Sequence, residues 1–281
     1  MRTNVRQSPR RLIVNADDLG FTPAVTAGIL EAHAAGSVTS ASMMVNCPGW
    51  DDAVRHARST PTLGVGLHLN FLVGVPITKA PSLTDSRTGR FLPLTALVWR
   101  TVLGRVDAAE VAAECEAQVA AIVGAGIECT HIDSHRHVHA LPMIHGAVAA
   151  VAAKLALPLR RPLESHRRAE GGLASQLHRG VIGAAWRVSG AGTAATRAAD
   201  HFIGVSLQGS TRFSAQFLSA VDGLLPGTTE FMVHPGHVDD ALKSIDAYTV
   251  QRERELEALV SRSVRDRLQR EDLELINFRA L

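Results

Sequence analysis

The 281-residue sequence predicts an α/β fold, in its simplest form one distorted or incomplete (β/α) barrel of the TIM-like kind spanning residues 1–281. Three observations carry that expectation. Short apolar runs rich in β-branched residues alternate with longer stretches of helical periodicity, the pattern of parallel strands joined by crossover helices. No low-complexity linker and no internal repeat divides the chain, and barrels of this class often reach such a length as one unit. The polar residues that least suit their apolar surroundings all follow predicted strands, at the ends where α/β enzymes do their chemistry. A doubly wound open sheet is the alternative arrangement of the same elements.

In order along the chain, residues 11–16 (RLIVNA) read as the first strand. Thr22 and Pro23 then supply a cap and a first-turn proline for a helix that Gly36 closes. A second strand fits 37–45, a helix 50–58, and a third strand 63–70. Between 72 and 106 the periodicity dissolves around Pro76, Pro81, Gly89 and Pro93, and an insertion of that length is more often functional than idle. Within it, LTALVWRTVLGRV (94–106) reads as a packed lid helix, with a lipid or an apolar aglycone as the other surface it could meet. Alternation resumes with a helix over 107–124, a strand over 127–133 and a helix after Pro142. The segment 162–200 is irregular and carries no assignment. Strands return at 202–206, 228–234 and 272–278, with helices over 211–222 and 249–269, for seven strands in all.

Composition sets limits. A hydrophobic fraction of 46% against 20% charged describes a chain with a substantial core. The formal net charge of +2 gives no overall field for nucleic acid or an acidic membrane. Cys47, Cys115 and Cys129 are odd in number and lack CxxC spacing, so neither a disulfide framework nor a zinc knuckle is expected. The N-terminal MRTNVRQSPRR leads into an apolar run too short for a secretory signal, and no stretch is long enough for a transmembrane segment. The expected location is cytoplasmic.

The candidate chemistry lies in four places. In NADD (15–18), two adjacent carboxylates after an apolar strand repel each other unless a cation or strong donors offset them. One can then ligate a metal while its neighbour faces a substrate; an Asx turn or helix cap is the plainer reading. His68, in GLHLN, alternates with Leu67 and Leu69 and so faces away from them. By itself it is more often a hydrogen-bonded core histidine than a ligand. THIDSHRHVH (130–139) holds four histidines and one aspartate in ten positions, a dense metal signal. Residues 135, 137 and 139 share a face if that stretch is extended. In HPG (234–236), Pro235 and Gly236 enforce a sharp turn that holds His234 at the rim, as a proton donor or merely as a turn cap.

Together, NADDLG (15–20), GLHLN (66–70), THIDSHRHVH (130–139) and EFMVHPGHVDD (230–240) resemble, in order, the motif series of the YdjC-like carbohydrate deacetylases, which include chitooligosaccharide deacetylases and a hopanoid-biosynthesis branch. The resemblance covers 11–281. It implies a TIM-barrel-like, polysaccharide-deacetylase-like fold, often dimeric, that removes the acetyl group from an N-acetylglucosamine-type oligosaccharide or glycolipid with one divalent metal ion, Mg2+ or Zn2+. Carried onto this sequence, the metal ligands are Asp18, His68 and His135, the general base Asp17 and the general acid His234. Arg136 stands where relatives frequently have a histidine, so its contact is open, as are the roles of His131, His137 and His139. The competing readings are another metal-dependent amidohydrolase or phosphoesterase on a barrel, and a noncatalytic sugar-binding protein. The former usually opens with HxH on the first strand, where this chain has NADD.

Overall fold

The computed structural model describes residues 9–164, 173–189 and 196–281, without the side chains of residues 173–175 and 178. The chain runs β1 (Arg10–Leu19), α1 (Pro23–Ala34), β2 (Ser40–Met43), α2 (Trp50–Ser59), β3 (Gly64–Leu69), α3 (Leu94–Val102), α4 (Ala108–Gly124), β4 (Ile132–Ser134) and α5 (His145–Lys154). It continues through α6 (Leu173–Val188), β5 (His201–Ile203), α7 (Phe213–Asp222), β6 (Gly227–Val233), α8 (Asp240–Ile245), α9 (Val250–Val260), α10 (Arg262–Leu268) and β7 (Glu274–Leu275).

The strands form a curled parallel sheet in the order β4-β3-β2-β1-β6-β5, with β7 pairing the start of β1. β1 sits at the centre, and from Leu12 onward it is buried on both faces, as its nearly unbroken apolar run requires. β6 pairs with it from Arg10 to Ala16, whereas β2 joins only from Asn15. β7 fills the wedge left below, against Arg11 and Leu12. The result is a partial barrel. Its open side, between β4 and β5, is spanned by an irregular stretch that makes single parallel bridges, Ile132 to Leu159 and Glu164 to Phe202. That stretch delivers Arg160 to the middle of the barrel.

Local chemistry explains most of the boundaries. Thr22 caps α1 by accepting from Val25 N, with Pro23 in the first turn, as the sequence predicts. The helix expected over 249–269 is two, because Ser261 takes an extended conformation and caps α10 through its own side chain. β1 runs three residues past its predicted end and so contains the NADD motif. β4 begins five residues later than predicted, although Thr130 and His131 already bond to the main chain of β3 at Val65 and Leu67. The unassigned 162–200 segment contains α6; its residues 165–172 and 190–195 lie outside the described residues, as do 1–8 of the N-terminal segment.

The insertion after β3 holds α3, which buries Leu97 and Thr101 but leaves Trp99 and Val102 each 65% exposed. It is therefore a helix packed on one side only. Cys47, Cys115 and Cys129 are buried and free of disulfides. Among the described residues, no helix is long and apolar enough to cross a membrane.

Candidate active site

The strand ends build the site. Asp17 and Asp18 close β1, and alternation along a strand would send them to opposite faces. Asp18 instead adopts φ 72°, the left-handed region that aspartate tolerates better than most residues, and the chain bends so that both carboxylates line one cleft. His68 comes from β3 and His135 from the turn after β4. His68 Nε2 lies 3.2 Å from Asp18 Oδ1, and His135 Nδ1 lies 3.0 Å from the same oxygen. One donor atom from each of the three falls within 4.8 Å of the other two. Donors on a single cation at ~2.1 Å stand roughly 3.4 Å apart in tetrahedral geometry, so this carboxylate and two imidazoles fit such an ion.

Asp133, on β4, accepts from His68 Nδ1 at 2.7 Å and so turns Nε2 towards Asp18. A carboxylate behind an imidazole is the usual way to fix a ligating histidine. Burial alone would lower the His68 pKa, but Asp133 and Asp17 outweigh it and push it up to about 10. Burial would likewise raise Asp18; Arg252 above all, then His135, holds it well below the ordinary carboxylate range. Arg252, on α9, makes that contact through Nη2 to Asp18 Oδ2 at 2.6 Å and reaches Asp246 Oδ2 at 3.0 Å. One oxygen of Asp18 is thus committed to Arg252, and the other faces the two histidines.

Below this layer lies a second cluster, centred on Arg160. Its guanidinium grips Asp17 with two bonds of 2.7 and 2.8 Å and meets Asp133 and Glu230 at 2.7 Å each. The bidentate grip fixes the Asp17 carboxylate in plane. Asn15 Nδ2 reaches Ser42 Oγ at 2.8 Å and Asp133 at 3.2 Å. Three buried carboxylates share one guanidinium, so Glu230 is pushed up to about 7 by burial and by the charges of Asp133 and Asp17, despite its own bond to Arg160.

The four histidines of the cluster separate. Arg136 and His137 take φ of 53° and 54° inside a 3-10 turn over His135–Ala140, so 135, 137 and 139 do not share the face of an extended chain. Only His135 reaches Asp18. His137 lines the cleft, edge-on to Phe202. His139 bonds to Ser134 Oγ and to the Arg160 carbonyl, tying β4 to the spanning stretch. His131 stacks on Phe278 at 3.8 Å between centroids and bonds to Ser42 and Thr130. A Cβ on Gly66 would stand 2.3 Å from the His131 ring, which is why GLHLN opens with glycine. Burial pushes both His131 and His139 down to about 3, and they are neutral structural groups.

His234 follows β6 and faces Asp17 from the other side of the cleft, Nε2 to Oδ2 at 3.9 Å. Its main-chain N–H donates to Glu255 Oε2 at 2.6 Å, and Gln208 Nε2 lies 3.2 Å from its ring Nε2. The HPG turn packs on α1 so closely that a Cβ on Gly28 would stand 2.6 Å from Gly236 Cα. Arg136, on the rim, meets Asp246 at 3.2 Å.

Asp17, Asp18, His68, His135 and His234 thus line one cleft of about 240 Å³. Asp133 and Glu230 lie inside the motifs that the sequence singles out but carried no role there; Arg160, Arg252, Asp246, Tyr248 and Gln208 were not legible as site residues. For Arg160 there is one signal, an arginine pair straight after the apolar LALPL run; for Asp246 to Arg252 there is none.

The family model of the YdjC-like protein matches residues 11–270. The chain belongs to the YdjC-like family. Among its YdjC-like relatives, the carbohydrate deacetylase of Brevibacillus brevis is 34% identical over 96% of this chain and 99% of its own length. That of Geobacillus stearothermophilus is 32% identical over 96% of this chain and 98% of its own. A crystal structure of a putative cellobiose-phosphate cleavage protein from Enterococcus faecalis V583 superposes with a TM-score of 0.78 at 30% identity. It covers 97% of this chain and 99% of that one.

Proposed function

We propose that this protein is a carbohydrate deacetylase that hydrolyses the acetamide of an N-acetylated sugar, of N-acetylglucosamine type, with one divalent cation held by Asp18, His68 and His135. The observation that carries the reading is the convergence of those three donors, from three separate strand ends, beside Asp17 and His234. Relatives named carbohydrate deacetylase, matched over nearly the whole chain, support the substrate class. On this reading the barrel is of the polysaccharide-deacetylase kind.

A cation bound there would polarise the acetyl carbonyl and acidify a water; two imidazoles and one carboxylate suit zinc, and magnesium with further water is the other candidate. The chain's own groups do the rest. Asp17 takes the proton from the attacking water. Arg160, gripping both oxygens from below, holds them still; Oδ1 also accepts from Asn15, so Oδ2, the oxygen that faces His68 and His234, is the one left to take the proton. His234, on the opposite side, gives its Nε2 proton to the departing amine. Gln208 suits both states of that imidazole. Rotated one way its amide oxygen accepts from Nε2–H, and rotated the other way its N–H donates to the bare nitrogen. Glu255 fixes the backbone of His234 and, through Tyr248 Oη at 2.5 Å, the ring packed beside it. A cleft of about 240 Å³ lies just below the ~300–1,000 Å³ of ordinary ligand pockets, which suits one sugar residue rather than an enclosed oligosaccharide.

Acetate release from a panel of N-acetylated mono- and oligosaccharides, run alongside metal analysis of the purified protein, tests this. Expected are acetate from at least one amide and one bound divalent cation per chain. Acetate from none of them, or metal content unchanged in both His68→Ala and His135→Ala, overturns it.

A further inference from the structure

The insertion after β3 carries a feature that deacetylation does not use. On α3 and its final turn, Thr95, Trp99, Val102 and Leu103 occupy one stripe at helical spacing and are all exposed, with Trp99 and Val102 at 65% and Leu103 at 56%. Val75 and Ile77, earlier in the insertion, are also about half exposed. Soluble surfaces scatter such side chains singly, whereas here five of them sit on one insertion, three of them contiguous.

The charge of the same insertion is one-sided. Residues 72–106 contain Lys79, Arg87, Arg90, Arg100 and Arg105 against Asp85 alone, so the formal +2 of the whole chain hides a basic insertion on an otherwise slightly acidic body. Asp85 is occupied by its own turn, accepting from Arg87 N and Thr88 N. Arg100 is anchored on the Pro81 and Ser82 carbonyls. Lys79, Arg87, Arg90 and Arg105 are exposed, and among the described ion pairs none has an acidic partner. An exposed apolar stripe that carries a tryptophan, on an insertion whose exposed cations outnumber its acids, is the chemistry of an anionic bilayer interface, although Glu110 and Glu114 of α4 bond to the insertion's main chain at Ser82, Ile77 and Thr78. A second copy of this chain would set like charges against one another at the same place. Gly104, at φ 64°, turns the chain sharply after Leu103, so that the stripe ends in Arg105 instead of continuing into the core. The insertion leaves the barrel from the end of β3 that also presents His68.

We infer that α3 and its flanking arginines dock this protein reversibly on the surface of an anionic lipid bilayer. The inference stands whether or not the protein is a deacetylase. Apolar insertion supplies part of the hold, and the cations supply a part that salt screens. The test is co-sedimentation of the full chain with phosphatidylglycerol-containing vesicles and with pure phosphatidylcholine vesicles, at low and high salt. Expected are pelleting with the first and not the second, loss at high salt, and a weakening of about tenfold or more in both Trp99→Asp/Val102→Asp and Arg87→Glu/Arg105→Glu. These side chains face solvent, so the variants keep the fold, checked by thermal melting, and keep any turnover on a soluble substrate. Three results overturn the inference: wild type left in the supernatant with anionic vesicles at low salt, variants that pellet as well as wild type, or a wild-type dimer in sedimentation equilibrium that Trp99→Asp dissociates.

Discussion

Replacing Arg160 with methionine removes the only cation in direct contact, among the described residues, with all three of Asp17, Asp133 and Glu230. Every one of its contacts is 2.7 to 2.8 Å long and buried. The three carboxylates are not orphaned equally. Asp133 keeps Ser42 at 2.6 Å and His68 at 2.7 Å. Among the described residues Glu230 keeps only Asn15 at 3.5 Å, but it already holds its proton to about pH 7 and becomes neutral at small cost. Asp17 bears the loss, with Asn15 at 3.4 Å as its nearest remaining donor. Breaking a buried ion pair from one side costs roughly 3–5 kcal/mol, because the remaining charge stays desolvated. At about 2–4 °C per kcal/mol for a chain of this size, the melting temperature should fall by roughly 10 °C. Urea and thermal unfolding of wild type, Arg160→Met, and Arg160→Met with Glu230→Gln measure it. Because Glu230 is already neutral in Arg160→Met, the double variant should stay within about 1 kcal/mol of the single one. A single variant within about 1 kcal/mol of wild type would mean that the barrel centre tolerates unpaired carboxylates, and the reading of Arg160 as their counter-ion would be refuted.

Asp17→Asn should retain the bound metal but lose about 100-fold or more in turnover, read by metal analysis and acetate release; an active variant removes Asp17 from the base role. Arg252→Ala should weaken metal affinity by about 10–100-fold, measured by competition with a chelator, because Asp18 loses the contact that commits its second oxygen. Below pH 6.5, unfolded His131 and His139 take up protons that their folded forms refuse. Stability is therefore present above 6.5 and lost as pH falls, by about 2 kcal/mol each at pH 5. Glu230 works the other way, since the folded state holds its proton between 4.5 and about 7 while the unfolded state does not, so Glu230→Gln should deepen the loss from pH 6.5 to 5 by about 2 kcal/mol in urea titrations. Gly28→Ala should destabilise by roughly 1–3 kcal/mol and lower turnover, because the new methyl group must push the turn that carries His234; unchanged kinetics would uncouple that turn from the chemistry.

The sequence by itself determined the α/β alternation, seven strands, and the polar residues at their ends, because side-chain periodicity and turn chemistry are local properties of the chain. β1, α1 with its Thr22 cap, and the placement of His68 follow from that local chemistry. What only the tertiary structure decided depends on contacts between distant segments and on backbone conformations that no periodicity encodes. Left-handed backbone at Asp18, Arg136 and His137 chose which neighbours face the cleft, and so separated His135 from His131 and His139 within one histidine-rich stretch. Arg160 lies in an irregular segment between two strand edges, and it becomes central only when the curled sheet brings Asp17, Asp133 and Glu230 around it. Their mutual repulsion needs a counter-charge, and nothing in the order of residues along the chain says where it will come from.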